Sequence, residues 1–376
     1  MISCVSKKKN PISEQACISI QWEELIEKDL FFTDDKIDSC RFVPLETNDK
    51  CLIGAIIKVK MTNNLIFVED NNSKLFVFDK NGKFLNLIGK IGPGPDELLS
   101  LMDFYVNEDA GYVGVLDILR ETIFRYSFDG LLREKVRCGS VMKGMCQIQG
   151  LSNGKLLLSV HNDMENDFNY VFVNETDYSL YKKTLPYLAQ GTEHTCLIEP
   201  RATVLDNRFY ATAMLSDTIY SYMDGDIRPC YVLQTPLKKS NKDIIMGYGP
   251  YQFGLSAERH LKNNGYSPGI HNMYAIKDYL YFTYLMKEKY YRVYWNITDK
   301  KGYITLWRDT HNIFDLMAPI MATTHDAFVC VISSDQAVEC LQKFDVSDSR
   351  ILKLMENVQE EDNPILAFYY IKDTDI

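Results

Sequence analysis

Short stretches of alternating apolar and polar residues recur along the chain, and most of them end in an aspartate followed by a turn. Alternation with a period of two is the pattern of a half-buried β-strand. The stretches lie at residues 75–79, 123–129, 170–177, 219–224 and 291–299. Their aspartates are Asp79, Asp129, Asp177, Asp224 and Asp299, so neighbouring markers are 50, 48, 47 and 75 residues apart. A period of 40–50 residues built from short strands is typical of propeller blades.

Four strands are predicted within the first period, at residues 53–58, 65–69, 75–79 and 83–88. They are separated by Asn63-Asn64, Asn71-Asn72 and Asn81-Gly82, dipeptides that favour the positive φ of tight hairpin turns. A four-stranded sheet has two apolar faces and must stack on neighbouring sheets to bury both. Radial stacking that closes into a ring leaves only short edges exposed.

The last repeat has a different composition and lacks one strand. Strands are predicted at 320–323 and 327–333, apolar residues at helical spacing follow at 337–344 and 351–358, and a final strand covers 365–371. Residues 39–45 could supply the missing outermost strand by pairing the two chain ends. The sequence therefore predicts an all-β, six-bladed propeller over residues 38–376, with helices in the last blade and a helical insertion at about 238–265 before blade five. Residues 1–37 are interpreted as a tether and lead-in segment.

Four segments carry a resemblance to a known family: 42–47 (FVPLET), 84–89 (FLNLIG), the Gly-Pro segment that follows, and 363–366 (NPIL). With these the chain resembles six-bladed propellers, related to NHL-repeat and TolB-like propellers, that are common as predicted lipoproteins in Bacteroides-type bacteria. Where that family often has Gly-Pro-Gly-Glu-Tyr, this chain has GPDEL at 94–98. Most members have no established activity, so the resemblance implies a fold and an envelope location rather than a reaction.

Charge and composition exclude several classes of protein. The 376 residues include 41 basic and 51 acidic side chains, a net charge of −10 that repels phosphate backbones and argues against nucleic-acid binding. The longest apolar run, at 365–371, is far shorter than the ~20 residues that span a bilayer. The ten cysteines contain no Cys-x-x-Cys pair, which argues against zinc-ribbon and thioredoxin-type sites. Cys51, Cys146, Cys230 and Cys330 are interpreted as buried free thiols, with one or more disulfides as the alternative.

The first four residues, Met1-Ile2-Ser3-Cys4, resemble the end of a bacterial lipobox. This pattern predicts a lipid on Cys4, with the polar residues 6–10 as its tether. The membrane would then be contacted only through this anchor, and the protein would belong to the cell envelope, in the periplasm or at the outer membrane. If Met1 is the true start, the alternative is a cytoplasmic protein.

Three local motifs have simpler structural interpretations. The run Gly150-Leu151-Ser152-Asn153-Gly154 matches the nucleophile elbow of α/β-hydrolases, but strands are predicted on both sides, so it is interpreted as a hairpin turn. The run at 92–95 (GPGP) lacks a dinucleotide-binding context and predicts a rigid crossover between blades one and two.

The third motif, Asp163 to Asp167, imitates the start of a calcium loop. Phe168 and Asn174 stand where an EF-hand requires Gly and Glu, so this loop is interpreted as solvated. No cofactor and no metal site are predicted, although adventitious calcium binding is an alternative for this loop.

Candidate ligand-binding residues fall in loops and at the starts of predicted inner strands, which a propeller gathers around one end of its channel. They are Asp117, Arg120, His161, His194, Glu199, Arg201, His271 and His325. Their convergence would form a polar pocket, or a metal site if three imidazoles met; scattered surface histidines are the alternative. In the insertion, the aromatic and Gly-rich segment 247–253 contributes Tyr248 and Tyr251, and Arg259 follows in a predicted helix. This insertion is either a lid over the channel or a packing element on the rim.

The leading functional hypothesis is a non-enzymatic binding or scaffold propeller of the bacterial envelope. Its loop face would recognise a protein, peptide or glycan, because no catalytic motif fits its structural context. The alternative is a propeller hydrolase or lyase whose polar channel could hold a metal. An intracellular interaction protein is a third hypothesis if Cys4 carries no lipid.

Overall fold

The computed structural model describes most of the chain. It covers residues 17–28, 36–139, 144–151, 154–160, 168–186, 201–205, 208–213, 215–223, 226–239, 261, 263–307, 320–343, 352 and 357–372.

The described residues form 26 strands, one α-helix and one short 3₁₀ helix (Trp22–Glu24) of defined bounds; strands are numbered here in chain order. The N-terminal strands are β1 (Ile18–Gln21), β2 (Ile26–Glu27) and β3 (Ile37–Pro44). Blade one contains β4 (Ile56–Met61), β5 (Leu65–Asp70), β6 (Leu75–Asp79) and β7 (Phe84–Ile88). Blade two contains β8 (Asp103–Asn107), β9 (Tyr112–Asp117), β10 (Thr122–Ser127) and β11 (Leu132–Arg137). Blade three contains β12 (Met145–Leu151), β13 (Lys155–Val160), β14 (Phe168–Asn174) and β15 (Leu180–Pro186).

The second half of the ring repeats this plan. Blade four contains β16 (Ala202–Leu205), β17 (Arg208–Thr212), β18 (Thr218–Met223) and β19 (Asp226–Gln234). Blade five contains β20 (His271–Ile276), β21 (Tyr279–Met286), β22 (Lys289–Asn296) and β23 (Gly302–Leu306). Blade six contains β24 (Ile320–Thr323), β25 (Ala327–Ile332) and β26 (Ile365–Ile371), with helix α1 (Ser334–Lys343) after β25. The predicted six-bladed propeller is thus confirmed.

Apolar side chains fill the spaces between the blades. One cluster lies at each of the six interfaces between neighbouring sheets, for example around Phe67 and Phe104 between blades one and two. An unbroken series of six interfaces means that the ring is closed, because an open array would leave two sheet faces uncovered. Burial of these faces is the main stabilising term of the fold.

The ring is closed by pairing the two ends of the chain. Strand β3 is the outermost strand of blade six and runs antiparallel to β26, with Pro44 opposite Ile365 and Cys40 opposite Tyr369. The prediction that residues 39–45 complete the last blade is confirmed.

Two further N-terminal strands lie on the rim. Strand β1 pairs in parallel with β19 of blade four, and β2 pairs in parallel with β23 of blade five. The lead-in segment therefore runs along the outer edges of blades four and five before it enters blade six. We call residues 17–28 the N-terminal strap.

The first blade begins three residues later than predicted, at Ile56 rather than Ile53. The amides of Ile53, Gly54 and Ala55 bind side-chain oxygens of Asn363, Asp70 and Asn71 instead of a neighbouring strand. The apolar composition of residues 53–55 predicted a strand because it does not show that side-chain oxygens bind these amides. Most of the second helix predicted in the last blade, at 351 and 353–356, and residues 240–260 of the insertion lie outside the described residues.

Within the described part of the chain, no helix is long and apolar enough to span a bilayer.

Candidate functional site: the central channel

The first strands of all six blades surround a central channel with a volume of about 1080 Å³. Its wall combines apolar side chains with groups that can donate or accept hydrogen bonds. The polar part includes Lys58, Gln147, Gln149, Thr203, Asn272 and Thr323. On the innermost strand of each blade, some side chains pack against a neighbouring blade and others border the channel.

The two ends of the channel differ. In every blade the inner strand starts where the chain arrives from the previous blade; we call this the crossover end. The opposite end, which carries the turns after the inner strands, is the hairpin end. Both long insertions, between β19 and β20 and between β25 and β26, begin and finish at the crossover end.

A cluster of four ionisable residues ties blades one, two and three together at the channel wall. We call Lys58, Lys60, Glu69 and Asp103 the wall cluster. The Asp103 carboxylate is buried and accepts hydrogen bonds from the amides of Phe104 and Ile148, each at 2.7 Å. The Lys58 ammonium group forms an ion pair with the same carboxylate at 2.5 Å. Both oxygen atoms of the Asp103 carboxylate thus accept at least one hydrogen bond.

The second lysine of the wall cluster holds main-chain groups. Lys60 Nζ donates to the carbonyl oxygens of Phe104, at 2.5 Å, and Ile148, at 3.0 Å. Asp103 therefore binds main-chain amides, and Lys60 main-chain carbonyl groups, of the same two residues in the inner strands β8 and β12. This pattern connects three blades through two side chains of opposite charge.

Two groups of the wall cluster have pKa values near neutral pH. Burial raises the pKa of Glu69 to about 8; the nearby Asp103 carboxylate adds to the increase, while Lys58 and Lys60 oppose it. Burial lowers the pKa of Lys60 to about 8, although Asp103 opposes that decrease. Both effects arise because a charged group loses solvation in the wall.

At the hairpin end, a second polar network borders the channel. The Glu175 carboxylate accepts hydrogen bonds from the Asn107 amide, at 2.8 Å, and from the Tyr112 hydroxyl group. The hydroxyl groups of Tyr105 and Tyr178 lie 2.9 Å apart behind it. This network joins blades two and three at the hairpin end of the channel.

Comparison with known proteins places the chain in a family. Residues 18–370 match the model of a family described as a domain of unknown function, DUF4934. The chain belongs to the DUF4934 family. No functionally curated protein matches it.

Two solved structures resemble this DUF4934 propeller. A predicted exported protein of Bacteroides fragilis NCTC 9343 superposes with a TM-score of 0.75 at 19% identity, covering 94% of this chain and 100% of that one. A DUF4221 family member from Bacteroides vulgatus ATCC 8482 gives a TM-score of 0.54 at 10% identity, covering 92% of this chain and 100% of its own. At these identities the likeness concerns the fold alone.

Two of the sequence-predicted ligand residues of the DUF4934 chain hold a crossover. Asp117 accepts hydrogen bonds from the Leu99 amide, at 2.8 Å, and the Ser100 hydroxyl group, at 2.9 Å. Arg120 donates to the carbonyl oxygen of Gly94 at 2.9 Å. Both side chains thus fasten the Gly-Pro crossover between blades one and two, away from the channel wall.

Arg201 and His271 contact each other. They stand at the starts of the inner strands of blades four and five, both buried, with Arg201 Nη2 3.3 Å from His271 Nδ1. His325 does not join them, because it lies in the exposed turn after β24 and therefore at the hairpin end. The expected single convergence of these residues is not found.

The remaining candidates lie outside the described residues: Cys4, His161, His194, Glu199, Tyr248, Tyr251 and Arg259, together with Ser152 and the loop 163–167. Strand β12 ends at Leu151 and pairs with Lys155 at the start of β13, as the hairpin interpretation of the G-x-S-x-G motif requires. Among the described residues, no group of three His, Cys, Asp or Glu side chains is placed to hold a metal ion.

The wall cluster was missed by the sequence analysis. Its one local signal in the sequence is the run Lys58-Val59-Lys60 in the first strand of blade one. Two lysines alternate with a valine there, whereas the next three strands are strongly apolar. That pattern marks an inner strand whose channel face is polar. The partner, Asp103, lies 45 residues further along the chain, so spacing alone did not connect the two.

Proposed function

We propose that this DUF4934 propeller is a non-enzymatic binding protein of the bacterial cell envelope whose ligand, a peptide or glycan segment, enters the central channel. The observation that carries this proposal is the open channel itself, with hydrogen-bonding side chains from several blades on its wall. Its volume of about 1080 Å³ lies slightly above the range of typical small-ligand pockets, roughly 300–1000 Å³, so it has room for a small ligand or a short segment of a larger one.

The crossover end is the proposed entrance. Both long insertions start there, and loops mounted on a rigid scaffold are the usual carriers of recognition. Arg201 and His271 lie at the same end, where their contact joins blades four and five beside the entrance.

The envelope location rests on two observations. A solved structure of similar fold is a predicted exported protein, and Met1-Ile2-Ser3-Cys4 resembles a lipobox. Metabolic labelling with an alkyne fatty acid should mark the full chain and leave Cys4→Ser unlabelled. Equal labelling of both chains would exclude Cys4 as the anchor. Assignment to the NHL-repeat-like or TolB-like propellers is part of this proposal and rests on the sequence segments named above.

Ligand binding can be tested with a panel of soluble oligosaccharides and short peptides, scored by the rise in Tm and then by calorimetry. Gln149→Ala and Met321→Ala, on opposite blades of the channel, should each weaken binding of a positive compound about tenfold. Lys183→Ala, exposed on the outer strand of blade three, is the matched control and should bind normally. Unchanged affinity in both channel variants would place the ligand outside the channel.

A hydrolase or lyase is the second candidate, and the pKa values of the wall cluster favour it. Groups that titrate near neutral pH are common at catalytic sites. However, Asp103 and Lys60 are held by main-chain partners, and Glu69 lies on the second strand, behind the wall. Mass spectrometry of a bound compound after incubation separates the two functions: cleavage that Lys58→Ala abolishes would establish the enzyme.

A further inference from the structure

Two cysteines lie side by side where the N-terminal strap meets blade four. Strand β1 runs parallel to β19 with Ile18 opposite Tyr231 and Ser19 opposite Val232. The same register, continued by one residue, places Cys17 beside Cys230. Neighbouring strands are about 4.8 Å apart, and disulfides join Cα atoms that are roughly 4.4–6.8 Å apart. The backbone spacing is therefore compatible with a disulfide.

The environment of Cys230 supports this proximity. Burial raises the pKa of Cys230 to about 12, and the next largest contribution comes from the Cys17 thiol. Both cysteines are free thiols in the structure, and the register of their strands remains the main observation that places them together.

Local backbone structure leaves Cys230 able to turn toward the strap. It lies in a β-bulge, between the pairs Ile219–Tyr231 and Tyr220–Pro229. Its thiol makes only a weak hydrogen bond to the carbonyl oxygen of Ile219, at 3.2 Å. Cys17 is exposed at the outer edge, so a soluble oxidant can reach it.

We propose that Cys17 and Cys230 form a disulfide that fastens the N-terminal strap to blade four under oxidising conditions. The oxidant is a disulfide of the thiol–disulfide exchange class, such as oxidised glutathione. Burial raises the pKa of both thiols, so the exchange is run at alkaline pH, where more thiolate forms. The Cys17 thiolate attacks the oxidant disulfide and releases one glutathione thiolate; the Cys230 thiolate then attacks the mixed disulfide and releases the second. Two protons leave the cysteines, and two electrons reduce the oxidant.

The disulfide would join the N-terminal strap covalently to β19, the outer strand of blade four. It would close a loop from residue 17 to residue 230, which includes blades one to three. Because long closed loops restrict the unfolded chain most, oxidation should raise Tm. The strap also precedes β3, so fixing it at blade four limits fraying of the segment that closes the ring.

The test uses the full chain, treated with oxidised glutathione or with dithiothreitol and digested without reduction. Trypsin yields peptides 10–28 and 209–238, which contain Cys17 and Cys230 as their single cysteines. The oxidised sample should contain these two peptides linked, and its Tm should exceed that of the reduced sample by at least ~2 °C. Cys17→Ser, at an exposed position, should lose both the linked peptide and the Tm difference.

Cys40→Ser is the control, because Cys40 lies on β3 away from this pair, and it should retain the linked peptide and the Tm difference. Alkylation of both Cys17 and Cys230 by iodoacetamide after oxidation would overturn the proposal. Linkage of either cysteine to a different partner in the oxidised full chain would also overturn it.

Discussion

At the scale of single residues, the wall cluster shows how a propeller can carry charge beside its axis. Asp103 is buried yet accepts hydrogen bonds from two main-chain amides and from Lys58, so its desolvation is compensated. Glu69 has no comparable compensation, and burial beside Asp103 favours its neutral form. The cluster is therefore stabilised by a proton on Glu69 at neutral pH, and its stability should depend on pH.

Glu69→Gln tests this dependence. Between pH 5 and pH 8 the unfolded chain ionises Glu69 while the folded chain keeps it protonated, because the folded pKa is raised to about 8. The folded state then binds more protons, so the stability of the original protein falls as pH rises across this range. The free energy of unfolding of the Gln variant, minus that of the original protein, should therefore increase as the pH rises, by up to ~1.4 kcal/mol per pH unit.

Urea unfolding at pH 5, 6 and 7 measures this difference. Glu23→Gln, the same substitution at an exposed position of the strap, is the control and should not show this dependence on pH. A difference between Glu69→Gln and the original protein that stays constant across the three pH values would contradict a raised pKa for Glu69.

At the scale of strands and turns, local patterns predicted much of the fold. The alternation and the Asn-rich turns gave the second and third strands of blade one to within one residue, since hairpins depend on residues that are close in sequence. The strap strands were missed, because β1 has four residues and β2 has two, and both pair with strands more than 200 residues away. The same limit hid the wall cluster, whose lysines and carboxylates meet only when the blades are stacked.

A series of N-terminal deletions separates the contributions of these strands. Removal of residues 1–16 should leave Tm unchanged, and removal of 1–36 should lower it by a few degrees, because only the edge strands β1 and β2 are lost. Removal of 1–45 also takes β3 with the buried Val43, and the buried Leu45 that follows it; burial of each side chain is worth roughly 1.5–3 kcal/mol. Its Tm should fall by more than ~10 °C.

Thermal melts under reducing conditions measure the series without a contribution from disulfides. Equal Tm values for the 1–36 and 1–45 deletions would show that the pairing of β3 with β26 does not hold the ring closed.

At the scale of the whole molecule, stability depends on the closed series of interfaces between blades. Each sheet is covered on both faces only while both neighbours are present, since the six apolar clusters all lie between two blades. The channel exists for the same reason, as the space that six stacked sheets leave around the axis. A binding site there is a property of the ring, and no single blade could provide it.

Dividing the chain between blades three and four tests this interdependence. Fragments 1–193 and 194–376 each expose two uncovered sheet faces, and the first fragment also holds β3, the outer strand of blade six. Neither fragment alone should show a cooperative melt, whereas the two mixed together should recover one, because β1, β2 and β3 of the first fragment pair with blades four, five and six of the second. Circular dichroism melts and gel filtration of each fragment and of the mixture measure the outcome. A cooperative melt of the second fragment alone would mean that three blades form a stable unit without closure, and the interdependence argued here would be wrong.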